Sequence, residues 1–289
     1  MKRKWIRRVG WILLTPIILF VILMVLLYIP PVQNLLRREV TAYASKATGM
    51  QIQVERIDLR FPLNLLVRGV EVIQQPDTLL SLESLNVRVQ AWPLLKGKVE
   101  VDEVTLSQVA VNSANLIEGM QIKGVLGRFF LQSHGVDLSN ETAVVNRTEL
   151  SDTHIQLLMT DTTTTPKDTT ASAPVNWKVN LHQLKLKNVS FGMKLPADSM
   201  KMAAYIGEAT IDDAKADLKN QFYGLKQFLL SGASASYDTG EAQPSEGFDA
   251  SHMAVRNIRI GLDSLLYEGR NMNAVIREIT MEERSGLSI

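Results

Sequence analysis

Two periods divide the chain. From Val9 to Ile29 there is no alternation: VGWILLTPIILFVILMVLLYI runs 21 residues without a charge. A helix of that length, rising about 1.5 Å per residue, reaches about 31 Å, one hydrocarbon core. Pro16 inside it is tolerated in a membrane helix, and Trp5, Trp11 and Tyr28 lie near its ends, where amphipathic rings favour the interface. A cleaved signal peptide would have a shorter apolar core and a small-x-small site where this chain has Tyr-Ile-Pro-Pro, so an uncleaved anchor is expected. A helical stripe follows: Val32, Leu35, Leu36, Tyr43, Ala44 and Ala47 behind Pro30-Pro31, with Gly49 placed to cap it. That stripe is expected to seal one end of a β structure.

From Met50 onward the period is two, with a recurrent interruption. Apolar residues stand at offsets 0, 2, 5 and 7 in Ile52/Val54/Ile57/Leu59, Leu80/Leu82/Leu85/Val87, Val99/Val101/Val104/Leu106, Val179/Leu181/Leu184/Leu186, Met253/Val255/Ile258/Ile260 and Ala274/Ile276/Ile279/Met281. These offsets scatter around a helix but fit a strand in one of two ways. Either a bulge inserts one residue and returns all four side chains to a single face, or the strand is apolar on each side in turn. Further strands are expected at 63–73, 120–131, 143–159 and 202–211. Residues 214–232 match a helical stripe as well, and strands are preferred there.

The spaces between copies are irregular, so no fixed-length repeat is implied. Residues 160–174, TDTTTTPKDTTASAP, contain no large apolar side chain and bury too little to order themselves. Residues 238–251 read as a second loop. The organisation expected is a basic tip (1–8), an anchor (9–29), a helix (30–49), a first β part (50–159), a Thr-rich insert (160–175) and a second β part (176–289).

Charge adds orientation. The 31 basic and 30 acidic residues nearly cancel, which gives no field for nucleic acid. Five of the basic residues, Lys2, Arg3, Lys4, Arg7 and Arg8, precede the apolar run, and only Arg37, Arg38 and Lys46 follow closely. The N-terminus is therefore expected in the cytoplasm and everything after Pro30 outside it. The chain has no cysteine, which removes disulfides, thiolate catalysis and zinc ribbons together and suits an oxidising compartment. Four histidines (His134, His154, His182, His252) lie far apart and are expected at the surface or on strand edges. Asp212-Asp213 and Glu282-Glu283 are adjacent, so in a strand their side chains diverge. No nucleophile elbow, P-loop, dinucleotide or calcium-loop pattern occurs. No enzyme, cofactor or metal centre is expected.

Several strings resemble the AsmA/TamB family of Gram-negative envelope proteins: the basic tip and anchor, VQNLLRREVTAYASKATGMQIQVERIDLRFPLNLLVRGVEV, LLSLESLNVRVQAWPLLKGKVEVDEVTLSQVAV, and the final REITMEERSGLSI. The resemblance covers residues 1–112 well and 176–289 loosely; the Thr-rich insert departs from it. It implies a mainly β fold: a transmembrane and a short amphipathic helix, then an elongated, strongly twisted antiparallel sheet forming an open, taco-like groove. By that likeness the groove carries phospholipid acyl chains toward the outer membrane. The lining candidates are all residues of the first four sets above, together with Val255, Ile258 and Ile260.

The partners so implied are phospholipid, the inner membrane through residues 9–29, and an Omp85-family outer-membrane protein engaged by a C-terminal part beyond this chain. The chain is expected to be the N-terminal portion of a longer protein. The alternative function is an assembly scaffold for outer-membrane β-barrel proteins or autotransporters. An anchored enzyme or adhesion domain finds no motif to support it.

Overall fold

The computed structural model describes residues 29–60, 63–94, 100–113, 116, 119–137, 140–159, 176–240 and 245–288. The basic tip, nearly all of the apolar run, the Thr-rich stretch 160–175 and Val99 lie outside the described residues. Among the described residues no helix is long and apolar enough to cross a membrane.

The chain is mainly β and forms one mixed sheet of 12 strands. In order, α1 (Pro30–Thr48) precedes β1 (Gln51–Arg60), β2 (Asn64–Gln74) and β3 (Asp77–Val89). A short α2 (Ala91–Leu94) leads to β4 (Val101–Asn112), β5 (Met120–Asp137) and β6 (Thr142–Met159). Then come β7 (Lys178–Leu195), β8 (Met200–Asp217), β9 (Phe222–Leu225), β10 (Gln227–Asp238), β11 (His252–Glu268) and β12 (Asn271–Glu283). Strands lie beside their sequence neighbours, as short connections favour; β9 and β10 share one lane between β8 and β11. The stretch 214–232, open to two readings, is strand and turn. At about 3.3 Å per residue the 18-residue strands β5–β8 run roughly 60 Å.

One pairing corrects the expected antiparallel order. β6 and β7 run parallel, with Thr142 beside Lys178 and Leu158 beside Lys194. A hairpin cannot join parallel neighbours; they need a crossover of a dozen or more residues. The chain between Met159 and Lys178 supplies that length. The parallel direction of β7 is thus permitted by a connection with no hydrophobic pattern to read.

The strands are interrupted in register. Val54 pairs Val70 and Arg56 pairs Arg68, but Glu55 and Gly69 between them do not pair. The same gap recurs at Glu83, Gln108, Gly127, Asp152 and Asn188. It crosses the sheet as a transverse seam that reaches Gly232 and Asn257. Six seam residues are left-handed: Gly69, Gln108, Asp152, Asn188, Gly232 and Asn257, with φ between 50° and 62°. Such positions suit glycine and asparagine best. At Gly69 a Cβ would also sit 2.6 Å from the Glu55 Oε2 atom.

No second layer covers the sheet among the described residues. Substantial contacts join only hydrogen-bonded neighbours, apart from α1 against β1. β1 and β12 do not pair, so the sheet does not close. No described side chain is fully buried.

The helix α1 ends at Gly49, whose φ of 70° forms the left-handed cap and whose N–H donates to Ser45 O. Its orientation corrects the sequence reading. The side facing β1 is polar: Gln33 Nε2 donates to Leu59 O (3.1 Å), Arg37 Nη1 to Val54 O (3.0 Å), and Ile52 N–H to Ser45 Oγ (3.0 Å). Leu35, Val40 and Tyr43 are exposed. A helix lying along an edge strand meets backbone N–H and C=O groups, and these select polar partners over aliphatic ones.

Candidate functional site: an apolar face without a roof

Cross-strand partners share a face of the sheet, so the register can be followed from edge to edge. One row reads Ile57, Val67, Leu85, Leu106, Phe129, Leu150, Leu186, Ala209, Leu230, Ile260 and Ile279. Every member is apolar. At about 4.8 Å per lane it runs roughly 48 Å across the sheet. The next row on the same face, from Leu59 through Val87, Val104, Leu131, Leu184 and Ile211 to Ile276, is apolar except at Thr148.

The seam explains how four residues at offsets 0, 2, 5 and 7 reach one face. In β1 the half-buried positions are Ile52, Val54, Ile57 and Leu59, while Glu55 and Arg56 are exposed together. One inserted residue has reversed the alternation. The same event separates Leu82 from Leu85 opposite Gly69 and Gln108, and Val255 from Ile258 at Asn257. A second line of irregularity separates Val101 from Val104, where the β3–β4 register shifts, and Leu181 from Leu184, opposite Asp213 with φ 50°. Of the two readings of the motif, the single-face one is observed. Along most of the seam both strands of a pair carry the irregular residue opposite each other, so the register is unchanged; a one-sided bulge accompanies the motif only where the register shifts, as at Arg88/Val89.

The lining candidates therefore meet on one surface. Ile52, Leu80 and Val255 lie in one row, and Val54, Leu82 and Ile258 in a second. Ile57, Leu85, Leu106, Leu186 and Ile260 form the wholly apolar row; Leu59, Val87, Val104 and Leu184 form the next. Val101, Leu181 and Val179 extend the face toward the far strand ends. Among those described only Leu82 is buried, at 8 % exposed; the rest are half-buried.

Sequence reading missed further copies of the offsets, one in the strand expected at 63–73 and two overlapping copies already found. Leu65/Val67/Val70/Val72, Val104/Leu106/Val109/Val111 and Leu184/Leu186/Val189/Phe191 carry the same offsets. A search allowing overlapping copies would have found them. Beyond Ile155 and Phe191 the face continues as Ile122, Leu157, Met193, Met202, Tyr237 and Met253, one partner per lane. A cavity of about 580 Å³ crosses these lanes. Methionine there supplies unbranched, adaptable packing surface.

The opposite face is polar next to the seam: Arg56, Arg68, Ser84, Ser107, Arg128, Ser151, Lys187, Glu208 and Ser231 form one row. Asp212 and Asp213 both belong to this side, which corrects their expected divergence. Ile211 pairs Leu184 and Ala214 pairs Leu181 on the apolar face, so both residues between them turn away from it. Gln183 Nε2 donates to Asp212 (3.1 Å), and Asp213 accepts from Lys226 Nζ (2.7 Å) and His182 Nδ1 (3.1 Å). The hydrogen bond from Lys226, then that from His182, holds the Asp213 carboxyl below the usual range.

His252 also departs from expectation. It is buried at the start of β11, with Nδ1 3.0 Å from Asp249 and Nε2 3.2 Å from Asp238. Asp249 accepts backbone N–H bonds from Ser245 and Ser251, which hold its carboxyl far below the usual range and pin the described part of the 238–251 loop. Among the described residues no cluster of three or more His, Asp or Glu could hold a metal ion. The chemistry available is apolar contact along one continuous face. Compared with known proteins, the chain matches no family model and no curated sequence.

Proposed function

We propose that this chain is an inner-membrane-anchored, AsmA/TamB-like periplasmic protein whose sheet bends into an open groove carrying phospholipid acyl chains toward the outer membrane. The observation that supports this reading is the apolar row of eleven side chains crossing eleven lanes, with no second layer above it among the described residues. Exposed apolar area costs about 25 cal/mol per Å², and contiguous patches beyond a few hundred Å² mark binding surfaces. Acyl chains cover such a face without needing any specific hydrogen bond. Transfer by sliding along a uniform face also needs no catalytic group, so the reading takes the protein as a carrier and not an enzyme. Lipid mass spectrometry of the purified full chain tests it: phospholipid should co-purify, and Val101→Asp with Leu184→Asp should deplete it. A lipid-free chain of unchanged fold would overturn the reading.

A second reading, an assembly scaffold for outer-membrane β-barrel proteins with an Omp85-type partner, draws on the other edge of the sheet. β12 is an unpaired edge on which Asn271–Ile279 are all exposed, Val275 at 56 %. An exposed edge offers backbone groups to an incoming strand. Site-specific crosslinks from β12 to a barrel precursor would favour this reading.

A further inference from the structure

The helix α1 presents one side to β1 and leaves a different side uncovered among the described residues. At 100° per residue Gln33, Arg37, Thr41 and Ser45 fall on a single arc. Three of these four bond the backbone of β1 directly. Val40 and Tyr43 lie on the neighbouring arc and are 53 % and 77 % exposed. Glu39 and Lys46 flank them on the side away from the sheet and are exposed. An apolar strip bordered by charge, on a helix already held by its polar side, is the pattern of an interfacial helix. It is not the pattern of one packed into a core.

The chain ahead of α1 says what the strip meets. Twenty-one uncharged residues end at Ile29, and α1 begins at Pro30 with no spacer. If residues 9–29 are the anchor proposed above, the span leaves the hydrocarbon core where it ends and the first turn of α1 starts in the headgroup layer. The helix is 19 residues, about 28 Å, long.

We infer that α1 lies on the outer leaflet of the anchoring bilayer, with Val40 and Tyr43 in the headgroup–acyl boundary. The backbone bonds from Gln33 and Arg37 then hold β1, the first lane of the apolar face, against the lipid surface. This inference rests on the membrane-anchor reading, and its test separates the two.

The natural chain has no cysteine, so single-cysteine variants of the full chain carry one fluorophore each. They are reconstituted into vesicles of phosphatidylethanolamine and phosphatidylglycerol containing brominated acyl chains. Labels at Leu19→Cys report the anchor, at Val40→Cys and Tyr43→Cys the strip, and at Asn34→Cys the flank facing away from it. The inference expects deep quenching at Leu19, quenching about 5–10 Å below the headgroups at Val40 and Tyr43, and iodide access at Asn34. Quenching at Leu19 with iodide access at Val40 and Tyr43 overturns the inference and leaves the anchor standing. No lipid quenching at Leu19 overturns the anchor itself. Labels at Val40 and Tyr43 shielded from both iodide and bromine also overturn the inference, because a second copy or another part of the chain then covers the strip.

Discussion

Beside the seam the two faces of this sheet are one residue apart and chemically opposite. Leu106 belongs to a row of eleven apolar side chains; Ser107, its neighbour, belongs to a row without one apolar member. In an ordinary antiparallel protein the apolar side of such a pair would be closed by a second layer. Here substantial contacts among the described residues run sideways, between neighbouring lanes. Amphipathic alternation alone therefore does not imply a closed core. A face kept apolar over about 48 Å, with no second layer over it among the described residues, is the observation on which the proposed acyl-chain surface rests.

The largest expected effect breaks the contrast at that pair. Leu106→Asp places a charge in the apolar row, and lipid recovered with the purified chain should fall about tenfold, the factor that ~1.4 kcal/mol gives. Ser107→Asp puts the same charge one position along, on the other face, and should leave the lipid content unchanged. Equal losses would mean that the faces are not functionally distinct.

Next in size is the seam that keeps the faces apart. Asn188 has φ 52° and donates from Nδ2 to the Asp152 carboxylate at 2.7 Å. Asn188→Val puts a β-branched residue in the left-handed region and should cost about 2 kcal/mol in urea unfolding. Asn188→Gly keeps the backbone unstrained and should cost clearly less. If the two variants unfold alike, the positive φ is not what sets the alternation.

Acid probes the two faces by another route: Asp249 belongs to the loop cluster beside His252, off the apolar side, whereas Glu283 pairs with Val255 at the end of the apolar face. Asp249 is held low by the N–H groups of Ser245 and Ser251, and Glu283 by the hydroxyl and N–H of Ser285. A carboxyl whose folded value lies below its unfolded one stabilises above the unfolded value and loses that stability as pH falls through the folded one. Thermal stability should be level near neutrality and decline below about pH 4, and Asp249→Asn should flatten the decline. Bound lipid should not change between pH 7 and the onset of that decline. The smallest effect belongs to the open edge: Val275→Lys on β12 should alter stability by no more than about 0.5 kcal/mol while reducing self-association seen by light scattering.

Much of this contrast was legible in the residues. The pair Val54 and Ile57, three apart where two was due, announced an inserted residue, and the register shows it lane after lane. The parallel β6–β7 pair was not legible, because the long Thr-rich connection permits either strand direction and alternation reads the same in both. The orientation of α1 was misread for a related reason. An apolar stripe marks the side of a helix that avoids water, but only the backbone bonds of Gln33, Arg37 and Ser45 reveal that the neighbouring element is a polar strand edge. His252 gave no signal in one dimension, since Asp238 lies fourteen positions earlier and reaches it only through β10–β11 pairing.

The most direct measurement places a photoreactive side chain at Leu106, Phe129 or Leu186 and, in parallel, at Ser107, Arg128 or Lys187, then identifies the adducts formed in intact membranes by mass spectrometry. The account predicts phospholipid adducts at the first three positions and none at the second three. Adducts to protein alone at Leu106, Phe129 and Leu186 would contradict it, because the apolar row would then have a polypeptide cover.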